Sequence, residues 1–152
     1  MKMNTKYQGI VEVEDRQVIH FENGLPGFSH ERRFIVSPFA NDTPFFILQS
    51  VDSPSLAFVA ADPFLFYKDY DFVLPDWAAE QLEIESEEEA AVYAVLTLQD
   101  PFEKTTANLQ APILINHRKH KGKQLVLDDS QYGTRHLLMS RPSPARQEGK
   151  GC

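Results

Sequence analysis

His117 and His120 stand three apart in "HRKHKGK", a spacing that can place two imidazoles on one zinc ion. Arg118, Lys119, Lys121 and Lys123 surround them, and no third ligand stands nearby. Positive neighbours oppose a bound divalent cation, so the expected element is a basic hairpin loop turned at Gly122. Asp128-Asp129-Ser130 offers carboxylates for calcium, but the glycine and the distal bidentate Glu of a calcium loop are missing. That stretch reads as a turn. In "FENGLPGF" (21–28) Gly24 and Gly27 are three apart, with no Lys-Ser/Thr pair and no helical pattern following. Phosphate binding needs one or the other. Tandem turns fit better, with Gly24 at positive φ and Pro26-Gly27 suited to a type II turn.

Nucleophilic chemistry finds no footing either. There is no GxSxG, and the single cysteine, Cys152, is the last residue, with nothing to order a base beside it. Glu83, Glu85 and Glu87 to Glu89 form a carboxylate run, but a solvated run lacks the burial that acid–base catalysis relies on. The chain is therefore expected to be no enzyme and to use neither metal nor cofactor.

Charge is unevenly distributed along the 152 residues, whose net charge is −7. Residues 62–103 hold twelve acids and one base, Lys68, whereas residues 104–152 hold nine bases and three acids. So acidic a segment repels phosphate, which argues against direct nucleic-acid binding and for either a basic protein partner or a merely solvated face. No apolar run approaches the roughly 18–20 residues of a membrane helix, and "MKMNTKYQGIVEVED" lacks the apolar core of a signal peptide. With no internal cysteine pair, a cytoplasmic protein is expected.

The elements that position these residues are short. "IVEVE" (10–14) alternates apolar and acidic residues with the period of a half-buried strand. "VIHF" (18–21), "FIV" (34–36), "FFILQS" (45–50), "LAFVAAD" (56–62), "DFVL" (71–74), "AVYAVLTL" (91–98), "PILIN" (112–116) and "QLVL" (124–127) continue the series. β-branched and aromatic residues fill them, and turn residues separate them. The expected fold is all-β: a single compact β-barrel-like domain over 1–139, with about nine or ten short strands and one or two short helices. One helix would follow an Asp76 cap, with Trp77, Leu82 and Ile84 loosely periodic. Another turn of helix would start at Pro63. Residues 140–152, with almost no apolar side chains, are expected to be a disordered tail.

"DPFLFYKDYDF" crowds Phe64, Phe66, Tyr67, Tyr70 and Phe72 among Asp69 and Asp71. Alternate side chains of one strand point opposite ways, so five rings cannot all face one core from a straight segment. Either a bend at Pro63 lets every ring reach the core, or part of this aromatic surface stays outside, beside acids, as an interface.

Taken in order, "FENGLPGF", "FFILQSVDSPSLAFVAADPFLFYKDYDF", "EEEAAVYAVLTLQD", "TTANLQAPILIN" and "GKQLVLDDSQYGTRH" resemble the bacterial flagellar assembly factor FliW family over residues 4–138. The resemblance implies a non-enzymatic regulator on a β-barrel-like fold with two protein partners. One is the carbon storage regulator CsrA, a small basic dimer that represses translation by binding RNA. The other is flagellin, the filament subunit. Bound to CsrA, such a protein relieves repression of the flagellin messenger; newly made flagellin takes it away, and secretion of flagellin reverses the exchange. The acidic segment suits a basic partner and would repel RNA, which makes Glu85, Glu87, Glu88 and Glu89 candidate partner-facing residues. An amphipathic flagellin helix wants an apolar groove with a polar rim, for which Phe66, Tyr67, Asp69, Tyr70 and Asp71 are the candidates. Asn108 in "TANLQAP" either orders its own loop or meets a partner. A flagellin chaperone without any role in RNA regulation is the alternative, and a monomer is expected in either case.

Overall fold

The computed structural model describes residues 1–127 and 131–139. The stretch 128–130, the tail from 140 and Cys152 lie outside the described residues. The strands are β1 (Lys2–Asn4), β2 (Ile10–Glu12), β3 (Ile19–Phe21), β4 (Arg33–Pro38), β5 (Phe45–Ser50) and β6 (Ala57–Ala61). They continue as β7 (Ala90–Thr97), β8 (Thr106–Ala107), β9 (Ile113–Asn116), β10 (Lys121–Gln124) and β11 (His136–Leu137). Among the described residues a six-residue helix, α1 (Asp76–Gln81), is joined by four single-turn 3-10 segments. No helix among the described residues is long and apolar enough to cross a membrane.

Strands β3 to β7 form an antiparallel meander. The first half of β7 pairs with β9, β9 pairs with β10, and β10 runs parallel to β3. Seven strands thereby close into a barrel, the all-β fold expected from the alternation. Closure leaves no unpaired edge within the ring. β8 and β11 extend the sheet from the far end of β7, and β1 with β2 forms a separate ribbon. Inside, Phe21 and Phe34 meet edge-on at 5.2 Å among Ile19, Leu48, Ile113 and Ile115. A second cluster gathers Val59, Ala61, Ala94, Leu96, Leu109 and Tyr70.

Four local expectations are corrected. Residues 71–74, "DFVL", are irregular, because the Asp71 carboxylate accepts the Phe72 N–H and the Asp71 N–H goes to the Tyr132 hydroxyl. The last barrel strand is Lys121–Gln124, so of "QLVL" only Gln124 is in it. The residues after it bond irregularly, Leu125 N–H to Pro112 O at 2.9 Å and Leu127 N–H to Gln110 O at 2.8 Å. No side chain caps α1: Pro75 holds the cap position and Asp76 is the first helical residue, where the helix dipole favours its charge. The β9–β10 loop turns on His120, at φ 59°, and not on Gly122. Gly122 sits inside β10 because the Phe21 ring fills the place of a side chain; a Cβ there would lie 2.5 Å from Phe21 Cζ.

Other readings hold. Asp62 accepts the Phe64 N–H at 2.9 Å ahead of a 3-10 turn that opens on Pro63. "FENGLPGF" is a pair of turns, with Gly24 at φ 65° and Gly27 at φ 82°. The Phe28 N–H closes the second turn on Leu25 O at 2.7 Å.

Gly122→Ala should lower stability by about 1–3 kcal/mol through overpacking against Phe21, measured as a shift of the urea midpoint. A variant as stable as the parent would show that the ring has room to move.

Candidate functional site

The 3-10 turn at Pro63–Leu65 redirects the chain and so sorts the rings that follow. Tyr70 points inward: it is 4% exposed, and its hydroxyl donates to Leu109 O at 2.8 Å. Burial raises its pKa well above the usual phenol range. Tyr67 is half-buried and donates to Leu137 O at 2.8 Å; burial pushes its pKa up to about 12. Phe66 stacks on Phe45 with ring centroids 5.8 Å apart. Outward go Phe64, Leu65 and Val73, which are 46%, 67% and 85% exposed, together with Asp69 and Asp71. The bend therefore brings one ring fully into the core and leaves a mixed apolar and acidic surface outside. Leu65 and Val73 were not candidates on sequence grounds, since isolated aliphatic residues carry no chemical signal.

Two grooves open on this side. The first, of about 370 Å³, is lined by Phe64, Phe72, Leu74, Val92 and Leu114, with Asp71 and Glu87 at its rim. It joins the aromatic stretch to the glutamate run, bringing Phe72 and Glu87, fifteen residues apart in the sequence, to one groove. The second, of about 670 Å³, is lined by Phe66, Tyr67, Lys68, Asp69, Tyr132 and Leu137, among others. Asn108 lies elsewhere, beside a depression formed with Leu25, Phe28, Phe58 and Val95. Its carboxamide oxygen accepts the N–H groups of Gln110 and Ala111, both at 3.1 Å, so it orders its own loop.

The glutamates divide in two. Glu85, Glu87 and Glu88 are exposed. Glu89 turns inward, accepting the Glu85 N–H at 2.8 Å and the Arg118 guanidinium at 2.6 Å, and these two donors hold its carboxyl below the usual carboxylate range. Glu83, at φ 56°, pairs with Lys121 at 2.6 Å and Lys119 at 3.7 Å, and Lys121 lowers its pKa. Asn116 joins the two segments of this unit, 82–83 and 118–119. It is fully buried, its amide donating to Leu82 O at 2.9 Å and Glu83 O at 3.2 Å. Its carboxamide oxygen accepts the Arg118 and Lys119 N–H groups at 3.0 and 3.2 Å. The acidic and basic halves of the sequence thus meet in space, and part of the −11 of residues 62–103 is neutralised locally. Nothing in the linear charge pattern signals that pairing.

The two loop histidines line one depression, together with Arg16, Gln17, Ile19 and Val36. His117 Nε2 lies 2.9 Å from the Tyr93 hydroxyl, and burial followed by the nearby His120 lowers its pKa. Among the described residues no group of three His, Cys, Asp or Glu side chains is placed to hold a metal ion.

A closed seven-stranded barrel with an outward apolar and acidic face is the class this geometry defines. A sequence-family model described as "FliW protein" matches residues 2–138. The chain belongs to the FliW family. It is 51% identical over 135 residues to the flagellar assembly factor FliW of Bacillus licheniformis, covering 89% of this chain and 94% of that one. It is 46% identical over 138 residues to the Bacillus subtilis protein of the same name, covering 91% and 96%. A crystal structure of the flagellar assembly factor FliW superposes with a TM-score of 0.88 at 45% identity, covering 93% of this chain and 99% of that one.

Asn116→Ala should cost about 1–3 kcal/mol, because it removes a fully buried carboxamide and leaves four backbone groups, one buried and three part-buried, without that partner. The two depressed carboxylates also set a pH dependence. Their contribution is present above the ordinary Glu range, near pH 4.3, and is lost as pH falls through their lower folded values. The thermal midpoint should therefore fall below about pH 4, and less steeply in Glu83→Gln/Glu89→Gln than in the parent. Equal acid slopes for the two proteins would contradict the pairing.

Proposed function

We propose that this chain acts in flagellar assembly by docking: it binds and antagonises the translational repressor CsrA and is itself taken up by flagellin. The cytoplasm, where both partners are made, is the proposed site of action. The relatives' role as flagellar assembly factors supports the first half of this reading. The observation that carries the rest is the groove lined by Phe64, Phe72 and Leu74 together with Asp71 and Glu87, the latter in a run with exposed Glu85 and Glu88. A basic RNA-binding protein is complementary to that surface in charge, and its apolar contacts have somewhere to go. RNA, by contrast, is repelled from the same acids once the complex forms. Antagonism then needs no overlap with the RNA site. The larger groove at Phe66, Tyr67 and Asp69 suits an amphipathic flagellin segment, whose apolar side would lie against the rings.

The charge test uses exposed acids only, since Glu89 is already paired with Arg118 and is largely shielded from solvent. Glu85→Gln/Glu87→Gln/Glu88→Gln should lower CsrA affinity by only about 3–10-fold, mainly through slower association. It should nevertheless lose most of its power to displace labelled flagellin messenger from CsrA. Displacement at the parental level at saturating protein would rule out repulsion as the mechanism.

A further inference from the structure

We infer that the basic loop 117–121 is a built-in occupant of the acidic face, taking Glu83 and Glu89 and so confining a basic amphipathic partner segment to the Phe64–Phe72 groove. The inference rests on the docking reading above and adds how the site is restricted.

One of the loop's ion pairs is lopsided. At the Arg118–Glu89 pair the glutamate side chain is 14% exposed and the arginine 72%, so the cation lies over the acid and shields it from solvent. The same carboxylate is already turned inward by the Glu85 N–H. Lys119 and Lys121 share Glu83, the one acid at the corner where the segment leaves α1. Glu85, Glu87 and Glu88 form no ion pair among the described residues.

Exposed ion pairs contribute little to stability, so three of them are a weak reason for a loop this basic. The loop's position does not depend on them: buried Asn116 holds the backbone of both Arg118 and Lys119. What the cations do is occupy sites that a partner's Lys or Arg would otherwise take. With Glu83 and Glu89 taken, the groove with apolar walls, Phe64, Phe72 and Leu74, still carries two acids outside any ion pair among the described residues, Asp71 and Glu87. A polycation without an apolar side is then offered two charges fewer, while a segment with both charges and an apolar side can use Asp71 and Glu87 together with the groove walls. Specificity of this kind comes from blocking the wrong mode as much as from favouring the right one.

The probe is a fluorescein-labelled synthetic helix with leucines on one side and lysines on the other, followed by anisotropy against the full chain. Arg118→Gln/Lys119→Gln/Lys121→Gln should bind it about 5–10-fold more tightly at low salt, the gain shrinking as salt is raised. Asp71→Asn/Glu87→Gln should weaken binding in the parent, and weaken it less in the loop variant, where Glu83 and Glu89 can share the peptide. Should the triple variant not fold, Arg118→Gln alone should give a gain of about twofold or more. Unchanged or weaker binding by the loop variants, with the parent binding the probe, would overturn the inference and leave the docking reading standing. A parent that does not bind the probe at all would overturn both.

Discussion

Strand β7 bonds to three different neighbours along its eight residues, and the rest of the structure follows from that. Its first half, Ala90 to Tyr93, lies antiparallel to β9; Ala94 and Val95 pair with β6; Leu96 and Thr97 pair with β8. The first pairing closes the barrel, and its register sets what meets on the surface. Ala90 stands opposite Asn116, so the residues just before β7 and just after β9 are brought side by side. Glu89 thereby reaches Arg118, and Asn116 reaches the carbonyls of Leu82 and Glu83. A slip of one residue would turn Asn116 to the other face of the sheet and undo every one of these contacts.

Two kinds of interaction share that corner with different weights. The hydrogen bonds of a fully buried carboxamide are expensive to leave unmade, whereas exposed ion pairs are worth about 0–1 kcal/mol each. Position is accordingly set by Asn116. In the proposed docking role the charges act on association, where long-range attraction and repulsion matter more than stability. Similar economy appears at Tyr70, whose buried hydroxyl ties the 62–75 segment to Leu109 while the neighbouring Phe64, Leu65 and Val73 stay outside.

Much of the barrel was legible in the sequence because its longer strands alternate or run apolar for four residues or more, as in "FFILQS", "LAFVAAD" and "PILIN". β1, β8 and β11 were not, since two or three residues cannot display a period. "DFVL" has the composition of a strand, but a side-chain bond from Asp71 and the distant Tyr132 hydroxyl fix it as an irregular link. Closure through β7–β9 and the parallel β3–β10 pair are long-range pairings that no local pattern encodes. The same holds for the site. The acids and rings were visible as residue types, but their meeting at one groove and the partial cancellation of the acidic run by loop cations are products of the fold. Which rings face inward was decided by a single turn at Pro63.

Release of RNA by this chain is the central claim, and a single mixing experiment reaches it most directly. CsrA is first loaded with labelled flagellin messenger, the purified chain is added, and flagellin is added last, with bound messenger followed throughout. The account predicts that messenger leaves CsrA on the first addition and returns on the second. Messenger that stays bound through the first addition, while the chain demonstrably occupies CsrA, would contradict it.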